Sequence, residues 1–131
     1  MRNTKEPGSA CADAKDILTV GSINEQGTNA AFSAVGPTAD GRIKPDVMAY
    51  GSPTCVITGR GSIINDNGTS FSSPLIAGMV ACLWQALPHK TAKQIIKLVR
   101  LAGDNQQHPD NVFGYGVPDF WKAYQTGKAI K

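Results

Sequence analysis

The chain's 131 residues include 13 basic and 10 acidic side chains, a formal charge of +3, and 41% of them are hydrophobic, the composition of one globular domain at most. An odd count of three cysteines excludes a closed disulfide framework. The longest uncharged apolar stretch, residues 74–87, falls short of the roughly 18 residues of a membrane span, and no basic-then-apolar leader opens the chain; the small, dispersed positive surplus also lacks the dense basic stripe that binds nucleic acid.

Residues 1–11 are polar, contain Pro7 and Gly8 and keep neither helical nor strand period, so they read as a loop or a severed end. From Ile17 a β-branched run apolar on both faces predicts a strand over 17–23 of the kind buried in a parallel sheet. A turn follows over 24–29, then a brief strand over 31–35 that stops at Gly36-Pro37. Residues 46–50, bounded by Pro45 and Gly51, predict another strand, and 54–58 a more exposed one. The glycine- and asparagine-rich stretch 59–69 reads as loop. A helix over 70–87 places Leu75, Ile76, Met79, Val80, Cys82, Leu83 and Trp84 on every face, which predicts a central helix surrounded by protein, with Cys82 filling core. The next helix starts at Thr91, where Thr-Ala-Lys-Gln has capping-box spacing, and runs to about Ala102 with Lys93, Lys97 and Arg100 on a solvated face. A short last helix spans 118–124 and opens on Pro118.

A helix that is apolar all round loses roughly 25 cal/mol for each Å² left in water. The expected strands and outer helices are too few to cover it. The chain therefore reads as part of a larger α/β domain, or as one that associates to complete it; a compact small domain with an unusually apolar helix is the competing reading.

The strongest chemical feature is Gly68-Thr69-Ser70-Phe71-Ser72-Ser73-Pro74, where a glycine loop delivers Ser70 to the first turn of the central helix. A serine placed there meets unpaired backbone N–H groups and the positive end of the helix dipole, which stabilise the oxyanion formed when a carbonyl is attacked. The tripeptide alone reads as an ordinary N-cap, since serine and threonine are preferred there. The longer run Asn67-Gly-Thr-Ser-Phe-Ser-Ser-Pro-Leu-Ile-Ala-Gly78 resembles the nucleophile motif of the subtilisin-like serine peptidases, Gly-Thr-Ser-x-Ala/Ser-x-Pro followed by an apolar helix. Similar family segments precede and follow it: Ala12 to Gly21, Phe32-Ser33 with Gly36-Pro37, Lys44-Pro45-Asp46-Val47-Met48-Ala49, and the closing Gly114-Tyr115-Gly116.

The resemblance implies a subtilisin-like three-layer α/β fold with a parallel sheet, of which residues 1–131 are the carboxy-terminal part. It implies endopeptidase chemistry on a peptide or protein substrate, with Ser70 as nucleophile, its own N–H as half of the oxyanion hole, and Gly68, Thr69 and Pro74 as the supporting motif. The family's Asp-Ser/Thr-Gly and His-Gly segments are absent, so the triad partners belong to a missing amino-terminal part, and the chain alone is expected to be inactive. His89 and His108 read as exposed loop residues, and Asn3 is a weak candidate for the oxyanion asparagine. Cys11, Cys55 and Cys82 have no metal-ligand spacing, so no metal site is expected. Asp40 and Asp46 read as turn residues, although some members bind a cation nearby; calcium is implied by the family alone, no ligands are identified, and no other cofactor is expected. Asn67-Gly-Thr69 fits a glycosylation sequon in an unfavourable place. An extracellular or cell-envelope location is likewise implied only by the family. The alternative from another class is a noncatalytic remnant or interaction module that keeps the shape without the triad.

Overall fold

The computed structural model describes residues 11–130. The opening loop or severed end, with Asn3, therefore lies outside the described residues except for Cys11. Four strands and three helices follow in chain order: β1 (Val20–Asn24), β2 (Val47–Ser52), β3 (Thr54–Ile57), β4 (Ile63–Asp66), α1 (Thr69–Ala86), α2 (Ala92–Leu101) and α3 (Phe120–Ala129).

β1 and β2 pair in parallel, Val20 opposite Val47 through Ile23 opposite Tyr50, and the register shifts between Ile23 and Asn24. Their apolar runs are buried because α1 lies across them while the segment after α2 lies along β2: Met48 N–H donates to the Gly116 carbonyl and Tyr115 N–H to the Asp46 carbonyl. The core joins Val47 and Ala49 of β2 to Ile76 and Leu83 of α1, to Ile95, Leu98 and Val99 of α2, and to Ala123 of α3.

Three strand expectations need correction. β1 begins at Val20, not Ile17, because Thr19 N–H is taken by the Asp46 carboxylate before the ladder starts. Residues 31–35 form no strand; Ser33 turns inward and its hydroxyl accepts from Ser22 N–H, while Ala30 N–H donates to the Ser22 carbonyl. The segment thus satisfies the outer edge of β1 with one side chain and one turn. Residues 63–66, read as loop, form β4 and pair antiparallel with β3 around a turn at Gly61, which needs its φ of +79°. The Ile63-Ile64 pair was the strand signal, masked by the surrounding glycines and asparagines.

The helices follow their capping chemistry. Thr91 and Gln94 make the reciprocal capping box of α2. α3 is longer than expected and starts after Pro118: Asp119 is its N-cap, accepting from Trp121 and Lys122 N–H groups. It continues through Gly127, where a side chain would strike Leu87 and Leu98. α1 packs one face on the sheet and on α2 and α3, while Leu75, Met79 and Trp84, on different sides of it, are exposed. Cys82 is exposed as well, not core: with Met79 it lines an open groove beside Phe120, Trp121 and Tyr124 of α3.

Candidate active site

Ser70 is the second residue of α1 and is solvent-exposed at the carboxyl end of β2. Ligands of parallel sheets gather at that end of the strands. Two bonds fix the loop leading to it. Gly68 N–H donates to the Gly51 carbonyl at 3.0 Å, and the Ser52 hydroxyl donates to Asn67 Oδ1 at 2.7 Å. The loop is therefore stapled to the last residues of β2 immediately before the helix begins.

The N-cap position of α1 is Gly68, and no side chain caps the helix. Thr69 and Ser70 lie inside the helix, so the reading of Gly-Thr-Ser as an ordinary capping motif is overturned. Phe71 N–H turns back to the Gly68 carbonyl at 3.0 Å; helix geometry leaves the Thr69 and Ser70 N–H groups without intrahelical acceptors. These two donors and the dipole favour a negative charge beside Ser70. Pro74 sits four residues further on. Because it has no N–H, the Ser70 carbonyl loses its usual helical donor.

Behind the helix start lie two fully buried hydroxyls, with Ser72 Oγ donating to Ser22 Oγ at 3.0 Å. Gly51 passes between them and the Gly68 loop, so closely that a Cβ there would overlap both hydroxyls and approach the Gly68 carbonyl to 2.8 Å. Neither Ser22 nor Ser72 was singled out from sequence. The available signal was a serine within an apolar, two-face-buried strand, since a buried hydroxyl requires a partner.

Thr69 also lines a cleft of about 250 Å³ shared with Thr19, Val20, Phe32, Val35 and Pro37. The expected segments Ala12 to Gly21 and Phe32 to Pro37 thus meet at one cleft, which Thr69 also lines. Neither histidine does. His89 is exposed in the turn beyond the far end of α1, a helix about 27 Å long at about 1.5 Å per residue. His108 is exposed in the loop held against the start of β2, the opposite end from Ser70.

The charged residues of the region correct two expectations. Asp46 is no turn residue: its carboxylate is buried, accepts from Lys44 Nζ at 2.6 Å and Thr19 N–H at 2.7 Å, and forms an ion pair with Arg100 Nη2 at 2.6 Å. Arg100 accordingly leaves the solvated face of α2 and also lies 6.0 Å from the Tyr115 ring centroid. Asp40 does sit in a turn, where Arg42 and then Thr38 hold its carboxyl down at about 2. Among the described residues, no group of three or more His, Cys, Asp or Glu side chains gathers to hold a metal ion.

The sequence profile described as the Subtilase family matches residues 1–116. The chain is 36% identical over 134 aligned positions to the subtilisin-like protease SBT6.1 of Arabidopsis thaliana, covering 90% of this chain and 13% of that protein. It is 34% identical to Mycosin-1 of Mycolicibacterium smegmatis, covering 79% of this chain and 24% of that one. The crystal structure of MycP1 from Mycobacterium smegmatis superposes with a TM-score of 0.67 at 29% identity, over 82% of this chain and 29% of that chain. The chain thus spans a quarter or less of the length of these curated relatives.

Proposed function

The chain belongs to the subtilase family, whose members matched here are serine proteases and share its partial α/β domain with a parallel sheet, and on that premise we propose that Ser70 is the nucleophile of a serine endopeptidase. The observation that carries this reading is the exposed Ser70 on an uncapped helix N-terminus at the carboxyl end of the parallel sheet. Ser70 Oγ attacks the peptide carbonyl of a peptide or protein substrate, and the Ser70 N–H donates to the oxygen that gains charge. A histidine oriented by an aspartate accepts the hydroxyl proton and returns it to the leaving amine.

His89 and His108 are remote from Ser70, so both partners come from outside these residues. We take 1–131 as the carboxy-terminal part of the peptidase domain, with the amino-terminal part as its partner. That part supplies the histidine, the aspartate and the second oxyanion donor, and covers apolar side chains of α1 that are exposed here, Leu75 and Met79 among them. The reaction calls for no cofactor. The family setting favours an extracellular or envelope location.

In this reading the chain alone is inactive, because losing the triad serine or histidine costs about six orders of magnitude in turnover. The test mixes the purified chain with an amino-terminal segment bearing the triad Asp and His and follows cleavage of a fluorogenic peptide. Hydrolysis only in the mixture, abolished by Ser70→Ala, is the expected result. Association without turnover would instead support a noncatalytic remnant, and Ser70-dependent hydrolysis by the chain alone would overturn its inactivity.

A further inference from the structure

We propose that the buried Ser72 and Ser22 hydroxyls form a positioning pair that sets the rotation of α1 about its axis, and so the direction of the Ser70 side chain; as a role in catalysis this rests on Ser70 being the nucleophile. Residues two apart on a helix are separated by about 200°. Fixing Ser72 on the sheet therefore turns Ser70 to the opposite, solvent side, where it is found. Among the described residues, the Ser72–Ser22 bond is the sole side-chain hydrogen bond joining α1 to either strand of the parallel sheet.

An apolar contact between α1 and the sheet would resist separation yet tolerate rotation, since dispersion and burial are non-directional. A hydroxyl pair is directional. Its sheet end is itself held: Ser22 N–H donates to Ser33 Oγ at 3.0 Å, and Ser33 is buried. The opposite wall is Gly51, where the backbone approaches both hydroxyls with no room for a side chain. With no N-cap side chain to orient the first turn, this pair carries the angular information that a cap supplies in α2 and α3.

The experiment compares wild type with Ser72→Ala, Ser22→Ala, the double variant, and Thr91→Ala as control, since the Thr91 hydroxyl caps α2 and bonds neither α1 nor β1. Amide hydrogen exchange on the full chain reads the geometry without requiring activity. Each single alanine at 72 or 22 is expected to speed exchange at Phe71 and Ser73 by about five- to tenfold, the double no further, with the Leu83 amide unchanged. A uniform rise along α1, an additive double, or an equal effect of Thr91→Ala at Phe71 and Ser73 would overturn the proposal. The same variants, assembled with the amino-terminal segment, are expected to lower kcat by about tenfold at unchanged KM. Wild-type assemblies without activity would sink the nucleophile reading while leaving the exchange result to judge the pair. A rise in KM at unchanged kcat would overturn the positioning role.

Discussion

Replacing Asp46 with asparagine removes one negative charge from a site where two cations and a backbone N–H converge within 2.7 Å. The side chain of Lys44 is 7% exposed and that of Asp46 2%, whereas Arg100 keeps 29% of its side chain in water. Arg100 can turn outward when its partner is lost; Lys44 cannot. The uncompensated buried ammonium sets the magnitude, about 3–5 kcal/mol for breaking such a pair from one side, with the partly solvated guanidinium adding little. The contrast is the Lys93–Asp16 pair at 3.3 Å, whose side chains are 75% and 66% exposed; Asp16→Asn is expected to cost at most about 0.5 kcal/mol. Urea titrations of both variants at pH 7 measure the difference as a shift in midpoint at constant slope. Adding Lys44→Met to Asp46→Asn should recover more than half of the loss, because the stranded charge leaves with its partner. The reasoning fails if Asp46→Asn costs no more than Asp16→Asn, or if the paired substitution is worse than the single one.

Three further substitutions test separate parts of the structure. Gly51→Ala is expected to destabilise by about 2–5 kcal/mol, from overpacking together with an unpaired buried hydroxyl. Gly78→Ala, at a helical position where an added Cβ meets no atom within 4 Å, should stabilise by about 0.5–1 kcal/mol; thermal unfolding of the two proteins in the opposite order would refute the crowding at Gly51. The Asp40 carboxyl, lowered from 3.8 to about 2 by Arg42 and then Thr38, contributes its stabilisation above the ordinary carboxylate range and loses it as pH falls through about 2. A carboxyl carbon NMR titration should move its midpoint toward 3.8 in Arg42→Ala, and an unchanged midpoint would reject the assigned cause.

What was legible in the sequence was whatever rests on local chemistry. The Thr91 and Gln94 box fixes the start of α2, and the β-branched and apolar strand of Val47 to Ala49 is where its composition places it. The Gly-Thr-Ser run locates Ser70 on the first turn of a helix. The misread parts are those where a distant residue decides. Asp46 looks like a turn aspartate until Arg100, 54 positions later, is brought to it by the packing of α2. Ser33 looks like part of a strand until its hydroxyl replaces a strand partner for Ser22. Cys82 looks like core because the helix pattern records which faces are apolar, not which faces the chain itself covers.

The start of α1 is organised differently from the other two helices. α2 and α3 have side-chain caps, each worth about 1 kcal/mol; α1 has none, and it carries a proline inside its second turn that withdraws the donor from the Ser70 carbonyl. A helix interior proline costs about 3 kcal/mol. The offset comes from the other side of the helix, where Ile76 and Leu83 enter the core and Ser72 grips Ser22. α1 is thus anchored by its buried face while its leading turn keeps polar groups unspent, the Thr69 and Ser70 N–H donors and the Ser70 carbonyl. If stability alone governed this segment, a cap at position 68 and a residue with an N–H at position 74 would serve it better. Their absence agrees with the proposed role of Ser70, since a nucleophile at the head of a helix needs those groups left free for something that arrives from outside.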